Sequence, residues 1–483
     1  MSNRTFWLLL AGVLALRTIT LPVLPVLDPT EARYAVVARD MLSSGDLVTP
    51  MVWANGEYVP FLSKPPLLFW AQAGMMRAAG PQAWAARVPS LAAAVLLVLL
   101  AWPVLRRRFS ADLARGALLV LVSCPLFFLA AGLGLTDMLL CGSVAGALFS
   151  HDAFCRAPER VRARRASLVT FALLGLGMVA KGPIALVLFG LPAAAWSTGR
   201  RAPGDFTGQA WWPGGLFFVA PWLPWYVAAE RANPGFLAYF LVNENLLRFA
   251  ASDYGGRYGG GHRFPPGAAF VFLILACLPW LVWLGARLRR ADIRRQVCRR
   301  LGRGDLRLFA LAVILDVAFL SLSRHILGTY VLPVVPAAAL LLAAALLAAG
   351  IGIERQARLT MGLVTLYAVG IVALQPVVRG RWSTEQVLAA ATRVQSDRGA
   401  EGRLLFVEKR PFSARFYGGD RIDHIPIDAG NEHYRWYLEP ANGHLILLRE
   451  VHRPLLDTYV TDRLRRVDEV GRHGIYVPVE PEP

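Results

Sequence analysis

The stretch from Asp28 to Trp70, DPTEARYAVVARDMLSSGDLVTPMVWANGEYVPFLSKPPLLFW, decides how this chain is read. It follows directly on an apolar first helix and runs into another apolar segment. Two acids, Asp28 and Glu31, stand at its start, and a lone lysine, Lys64, stands near its end. Long connections without spanning structure are either functional or linkers. The two acids and the lone lysine argue against a plain connector.

Composition places the rest of the chain in a membrane. Of 483 residues, 55% are hydrophobic and only 17% charged, and mean hydropathy is positive. A soluble domain carries about a quarter charged residues. The net charge of +18 could point to nucleic acid, but the arginines do not form one basic face, which nucleic-acid binding would need. They cluster between apolar runs, at Arg106–Arg108, Arg156–Arg165, Arg200–Arg201 and Arg287–Arg307, as a positive-inside bias requires.

Apolar runs fall near 6–27, 84–105, 112–131, 136–155, 167–180, 182–199, 212–229, 267–286, 306–322, 327–349 and 358–376. At about 20 residues per crossing, they predict an α-helical polytopic protein of about 11 spans, with a range of about 10 to 13. With the arginine clusters inside, segment 66–80 cannot cross and is expected to lie in the outer interface. No small-x-small cleavage site follows the first apolar run, so an uncleaved first helix is expected. Residues 1–376 then form a membrane domain that includes an outside loop over 28–80. Residues 377–483, rich in charge and in short apolar runs such as Leu404–Val407, His444–Leu448 and Gly474–Val479, form a small outside α/β domain. None of the five cysteines falls in an outside segment, and no spacing suits a zinc site.

Only three of the 51 basic residues are lysines: Lys64, Lys181 and Lys409. Where arginine is used almost everywhere, a lysine suggests a compact point charge. Lys64 and Lys181 each precede a turn at the outer end of an apolar segment. Snorkelling to the headgroups is the plain alternative, and phosphate binding the functional one. Asp137 opens the fourth span at its outer end, where a carboxylate is costly unless it faces a cavity or partner or caps the helix. Asp28 could likewise be a turn residue. If the stretch between them is helical, Glu31 faces the same way as Asp28, and paired carboxylates with Arg33 nearby suit acid–base work. Further outside polar groups are Asn243 to Phe249, a glycine-rich stretch Gly255–Gly261 expected to close over substrate, His262, His325 and Tyr330.

These positions carry a resemblance. Glu31, Arg33, Tyr34, Ser44-Gly45-Asp46, Thr49-Pro50, Asn55-Gly56 and Lys64-Pro65-Pro66 with Trp70 are similar to the first outside loop of polyprenyl-phosphate-dependent sugar transferases. The likeness is to the aminoarabinose-transferase-like and protein-mannosyltransferase-like GT-C group. It extends through Thr136-Asp137, Lys181-Gly182-Pro183, Asn243–Phe249, Thr329-Tyr330 and Leu332-Pro333. It implies a GT-C fold, a polyprenyl-phosphate sugar donor, and transfer at the outer face of a bacterial inner membrane. Three departures stand out. An adjacent Asp-Glu pair of the family is Thr30-Glu31 here, Glu-Lys-Pro is Ser63-Lys64-Pro65, and Lys-Leu-Pro-Thr-Tyr is Ile326–Tyr330. They leave open the identity of the base, a divalent metal, and lipid A as acceptor.

The expected chemistry follows. Lys64, Arg33, Lys181 and Arg248 hold the donor phosphate and stabilise the charge developing on it. Asp28 or Glu31 takes the acceptor's proton, and Asp137 orients a substrate hydroxyl or the basic cluster. Tyr34, Asn243, His262 and Tyr330 are the remaining candidates for substrate contact. No cofactor or metal ligand set is assigned. Lipid A, another surface glycan and a protein hydroxyl are alternative acceptors. A lipid or sugar transporter is the rival from another class, but such proteins show repeated halves, and none is evident here.

Overall fold

A computed structural model describes residues 1–54, 57–198, 209–251, 254–258, 263–407, 410–425, 437–449 and 463–480. Two compact units result. One comprises Met1–Leu21 with Asp40–Val369, the other Pro22–Arg39 with Gly370–Pro483.

The first unit is helical. Among the described residues, six helices are long and apolar enough to cross a membrane: Ala83–Arg108, Thr136–Cys155, Arg160–Lys181, Ala268–Arg287, Gly328–Ala348 and Ile353–Ala373. Other apolar runs form shorter helices, often for a covalent reason. The run over 112–131 divides into Ala111–Ser123 and Pro125–Ala130, because Pro125 lacks the N–H that would continue the first helix and is well placed to start the second. The last carbonyls of that second helix are not left bare. Arg17, buried in the first helix Asn3–Ile19, donates from Nε to the Phe128 carbonyl at 2.8 Å and from Nη2 to that of Leu129 at 3.1 Å.

Thr136–Cys155 and Arg160–Lys181 form a hairpin with a turn of four residues between them. So short a turn requires antiparallel neighbours. The start of the first helix therefore lies beside the end of the second, which sets Asp137 against Lys181. At the opposite end Asp152, fully buried, meets Arg108 at 3.5 Å and Arg156 at 3.0 Å.

The segment 66–80, expected as a short non-crossing helix, contains Leu67–Ala79. Before it, strands Met51–Ala54 and Glu57–Pro60 pair antiparallel, Val52 opposite Val59. Aromatic side chains tie this loop down: Trp70 Nε1 donates to the Leu47 carbonyl at 2.9 Å, and Trp225 Nε1 to that of Val48 at 3.0 Å. The hydroxyl of Tyr258 donates to the Pro60 carbonyl and accepts from the Leu62 N–H.

The second unit is built on a five-stranded sheet. Its order is Ile422–Ile425, Leu404–Val407, Leu445–Arg449, His473–Pro478, Leu464–Val470. The first three strands run parallel and the remaining pairings are antiparallel. Alternate side chains point to opposite faces, so Leu404, Phe406, Leu445 and Leu447 pack on one face with Val387, Leu388 and Ala391 of the helix Glu385–Arg398. Leu405, Val407, Ile446 and Leu448 form a second core on the other. Pro22–Arg39 belongs to this unit through polar contacts. The Val26 N–H donates to the Tyr417 hydroxyl at 2.9 Å, and Arg39 Nη1 donates to the carbonyls of Arg415 and Phe416.

Candidate active site

The first unit holds a cavity of about 100 Å³ whose polar lining gathers residues from distant parts of the chain: Ser63, Lys64, Lys181, Glu244, Asn245, Arg248, Ser323, His325 and Tyr330. Leu140, Ile184, Leu188, Phe240, Phe249, Phe319 and Leu320 supply apolar walls.

Lys181 ends its helix immediately before Gly182, whose φ of 89° lies where glycine is at ease. Its Nζ bonds Asp137 Oδ1 at 2.7 Å and stands 4.0 Å from the Tyr330 ring centroid. Both charged side chains are about nine-tenths enclosed, at 11% and 9% exposure. Neither snorkels or merely caps. They form a buried ion pair capped by an aromatic face, the cation drawn to the ring's negative face as well as to the acid.

Lys64 points inward too. Its Nζ donates to the Ser63 carbonyl at 2.8 Å and lies 3.8 Å from Glu244 Oε2. The same Oε2 accepts from Arg248 Nη1 at 3.0 Å. Oε1 accepts from the hydroxyls of Tyr239 at 2.7 Å and Tyr254 at 3.0 Å. Burial alone would raise the Glu244 carboxyl, but Lys64, Arg248 and the Tyr239 hydroxyl outweigh it and hold the group below the usual carboxylate range. Burial and the Glu244 charge push Tyr254 up to about 12.

Glu244 lies in a wide π-helical stretch, Tyr239–Leu247. Such stretches often mark functional sites, because the wider turn re-aims side chains. Here Tyr239 reaches the acid five residues on, and Asn245 Nδ2 takes the Phe240 carbonyl at 2.7 Å. Asn243, expected to contact substrate, is half-buried and does not line the cavity; Asn245 does. His325 is 3% exposed, and neither ring nitrogen has a hydrogen-bond partner among the described residues.

Asp28, Glu31, Arg33 and Tyr34 lie in the second unit. Asp28 and Glu31 do not share one face of a helix, as their three-residue spacing would allow, because the helix begins only at Thr30. Glu31, buried, accepts the Leu27 N–H at 3.0 Å. The Arg33 guanidinium stands 5.5 Å from the Phe412 ring centroid, and Tyr34 is buried. The Asp28 carboxylate accepts the Ser413 N–H at 3.0 Å and the Ser413 hydroxyl, which also bonds Thr384. Burial pushes its carboxyl up to about 6, against the pull of the Ser413 and Phe412 hydrogen bonds. His262 and most of the glycine-rich stretch lie outside the described residues, as do Asn55-Gly56 and Lys409. Among the described residues no group of three His, Cys, Asp or Glu stands ready for a metal.

Of the residues singled out in the sequence, the cavity brings together Lys64, Lys181, Arg248 and Tyr330, with Asp137 bonded to Lys181; Glu244, its two tyrosines, and His325 as a lining residue were not among the candidates. A signal for Glu244 was there: it precedes Arg248 by four residues, the spacing of a helical ion pair.

Comparison with known proteins bears on this arrangement. Residues 63–225 match the family model described as dolichyl-phosphate-mannose-protein mannosyltransferase. The undecaprenyl phosphate-alpha-4-amino-4-deoxy-L-arabinose arabinosyl transferase of Pseudomonas aeruginosa is 30% identical over 359 residues, which cover 72% of this chain and 61% of that one. The corresponding transferase 1 of Sodalis glossinidius is 29% identical over 347 residues, covering 70% and 58%. The sequence matches are thus to a mannosyltransferase family model over part of the chain and to arabinosyl transferases over most of it. The chain spans about three-fifths of the length of these curated relatives. The crystal structure of ArnT from Cupriavidus metallidurans bound to undecaprenyl phosphate aligns over all of both chains, with a TM-score of 0.78 at 18% identity. The fold is thus that of an α-helical polytopic membrane protein of GT-C type with a β-rich C-terminal region.

Proposed function

We propose that this chain is a membrane glycosyltransferase that moves a sugar from a polyprenyl-phosphate carrier to an acceptor at the periplasmic face of a bacterial inner membrane. The cavity that joins Lys64, Lys181 and Arg248 carries the proposal. Three cations in one partly apolar pocket suit a lipid-linked phosphate better than a free sugar. Charge-assisted bonds to the phosphate oxygens stabilise the leaving group as the bond to the anomeric carbon breaks. The relatives are named for an undecaprenyl phosphate-linked aminoarabinose donor, which supports a donor of that class.

In this reading Asp28 is the base, with Glu31 the alternative. Serine takes only part of the lone-pair capacity of the Asp28 carboxylate, and a carboxyl near 6 suits proton transfer close to neutral pH. Asp137 holds Lys181 in place, and Arg33, Tyr34, Asn243, His262 and Tyr330 remain candidates for donor or acceptor contact. About 11 spans place the arginine clusters inside and the C-terminal domain, 377–483, outside. The acceptor is an outer-leaflet glycolipid such as lipid A. The match to a protein mannosyltransferase model over 63–225 favours a protein hydroxyl as the second choice.

The test is transfer by purified protein in liposomes containing a polyprenyl-phosphate sugar. Lys64→Ala should lower turnover about a hundredfold or more, as for loss of one preorganised charge-stabilising group. Lys64→Arg should recover it only in part, since a planar fork does not replace a point charge. Undiminished transfer by Lys64→Ala would return Lys64 to an anchoring role.

A further inference from the structure

Glu244 is an odd neighbour for a phosphate. Its carboxylate, 8% exposed, sits on Lys64 and Arg248, two of the cations the phosphate needs. It is not a passing contact, because the Tyr239 and Tyr254 hydroxyls fix the other oxygen.

Its use follows from the charge balance of the reaction. The donor is a phosphodiester with one negative charge. The acceptor oxygen bonds the anomeric carbon, the bond from that carbon to the phosphate oxygen breaks, and its electron pair stays on the phosphate. The acceptor's proton passes to the carboxylate base. The product lipid is then a phosphomonoester, whose second ionisation near pH 6 makes it mostly a dianion at neutral pH. A pocket of cations alone binds a dianion more tightly than a monoanion and so retains its own product. A fixed carboxylate beside the phosphate repels in proportion to the charge it faces, so it penalises the product twice as much as the donor.

We propose that Glu244 sets the charge of the phosphate site so that the spent polyprenyl monophosphate is released. This rests on the phosphate reading of Lys64 and Arg248 given above. A purely structural role, aligning the two cations, makes a different demand: its loss would weaken monoester and diester alike.

The experiment uses the full chain in nanodiscs with two donor-competitive probes, a short polyprenyl monophosphate and its non-transferable methyl ester, which keeps a single charge. In Glu244→Gln the monophosphate should inhibit about tenfold or more tightly relative to the methyl ester, in keeping with one added unit of attraction in a screened site, and kcat should fall with it. Equal change in both constants overturns the proposal. The wild-type protein gives an independent arm if the variant does not fold. As pH rises from about 5 to about 8 the monophosphate gains its second charge, yet its inhibition relative to the methyl ester should not strengthen. A tenfold strengthening would sink the idea. If neither probe competes with donor, the phosphate reading itself fails and takes this proposal with it.

Discussion

Asp28 offers a test in which stability and activity should move in opposite directions. Its carboxyl rises from an ordinary 3.8 to about 6, so the folded chain favours the neutral acid more than the unfolded chain does. That preference is fully present below the unfolded value and is lost as pH rises through about 6. Between those two values the difference amounts to roughly 3 kcal/mol at about 1.4 kcal/mol per pH unit, an upper figure for a partly enclosed group. Asp28→Asn keeps the shape and never ionises. It should therefore match the wild type below about pH 4 and exceed its stability by up to roughly 3 kcal/mol at about pH 8. Paired thermal unfolding of the full-length proteins in detergent across this range reads the difference directly. A stability gap that is the same at both ends of the range refutes the argument, because the carboxylate would then carry no burial cost. Activity should do the reverse. With Asp28 as the proposed base, wild-type kcat/KM should climb through about 6 as it ionises, whereas Asp28→Asn should lose transfer while still binding donor. Ser413→Ala removes a bond that favours the ionised form, so it should shift that acid limb to higher pH.

The remaining expectations are briefer. Asp137→Asn strands the buried Lys181 charge and should cost about 3–5 kcal/mol of stability, most of it restored in the double variant with Lys181→Met; detergent melts that show simple additivity would deny the pair. A cysteine placed at exposed Asp46 should react with an impermeant thiol reagent in spheroplasts, and one at exposed Arg162 should not. The opposite labelling would invert the topology.

What could be read from the sequence, and what could not, divides along physical lines. Asp137 and Lys181 were singled out separately as outer-end charges, and their pairing follows from the short hairpin between the two spans. Glu244 depends on Tyr239, Tyr254 and Lys64, and only Arg248 shares a regular helical spacing with it. No pattern along the chain joins Lys64 to residue 244. Two apolar runs that read as continuous are broken in the structure, at Pro125 in one and around Pro221 and Pro224 in the other, between Trp211–Val219 and Leu223–Ala232. Hydropathy does not register the missing N–H. In the β-rich region, three central strands were visible as apolar runs. The two overlooked, Ile422–Ile425 and Leu464–Val470, are the edges of the sheet. LRRVDEV carries charge along its length, as an edge strand that must avoid pairing with other chains often does.

The scarcity of lysine now has a structural sense. Lys64 and Lys181 each meet a carboxylate, Glu244 in one case and Asp137 in the other, and Arg248 shares the first of these. Each cation comes from a different segment, and each acid lies on a segment other than that of the lysine it meets. A buried cation without such a partner would destabilise the empty protein by several kcal/mol. The acids therefore keep the cavity stable between turnovers, when no phosphate is present. They also weaken its field when one is. A site that, as proposed, binds a singly charged lipid and lets go of a doubly charged one needs that moderation. A stronger cluster of cations would bind better and turn over more slowly.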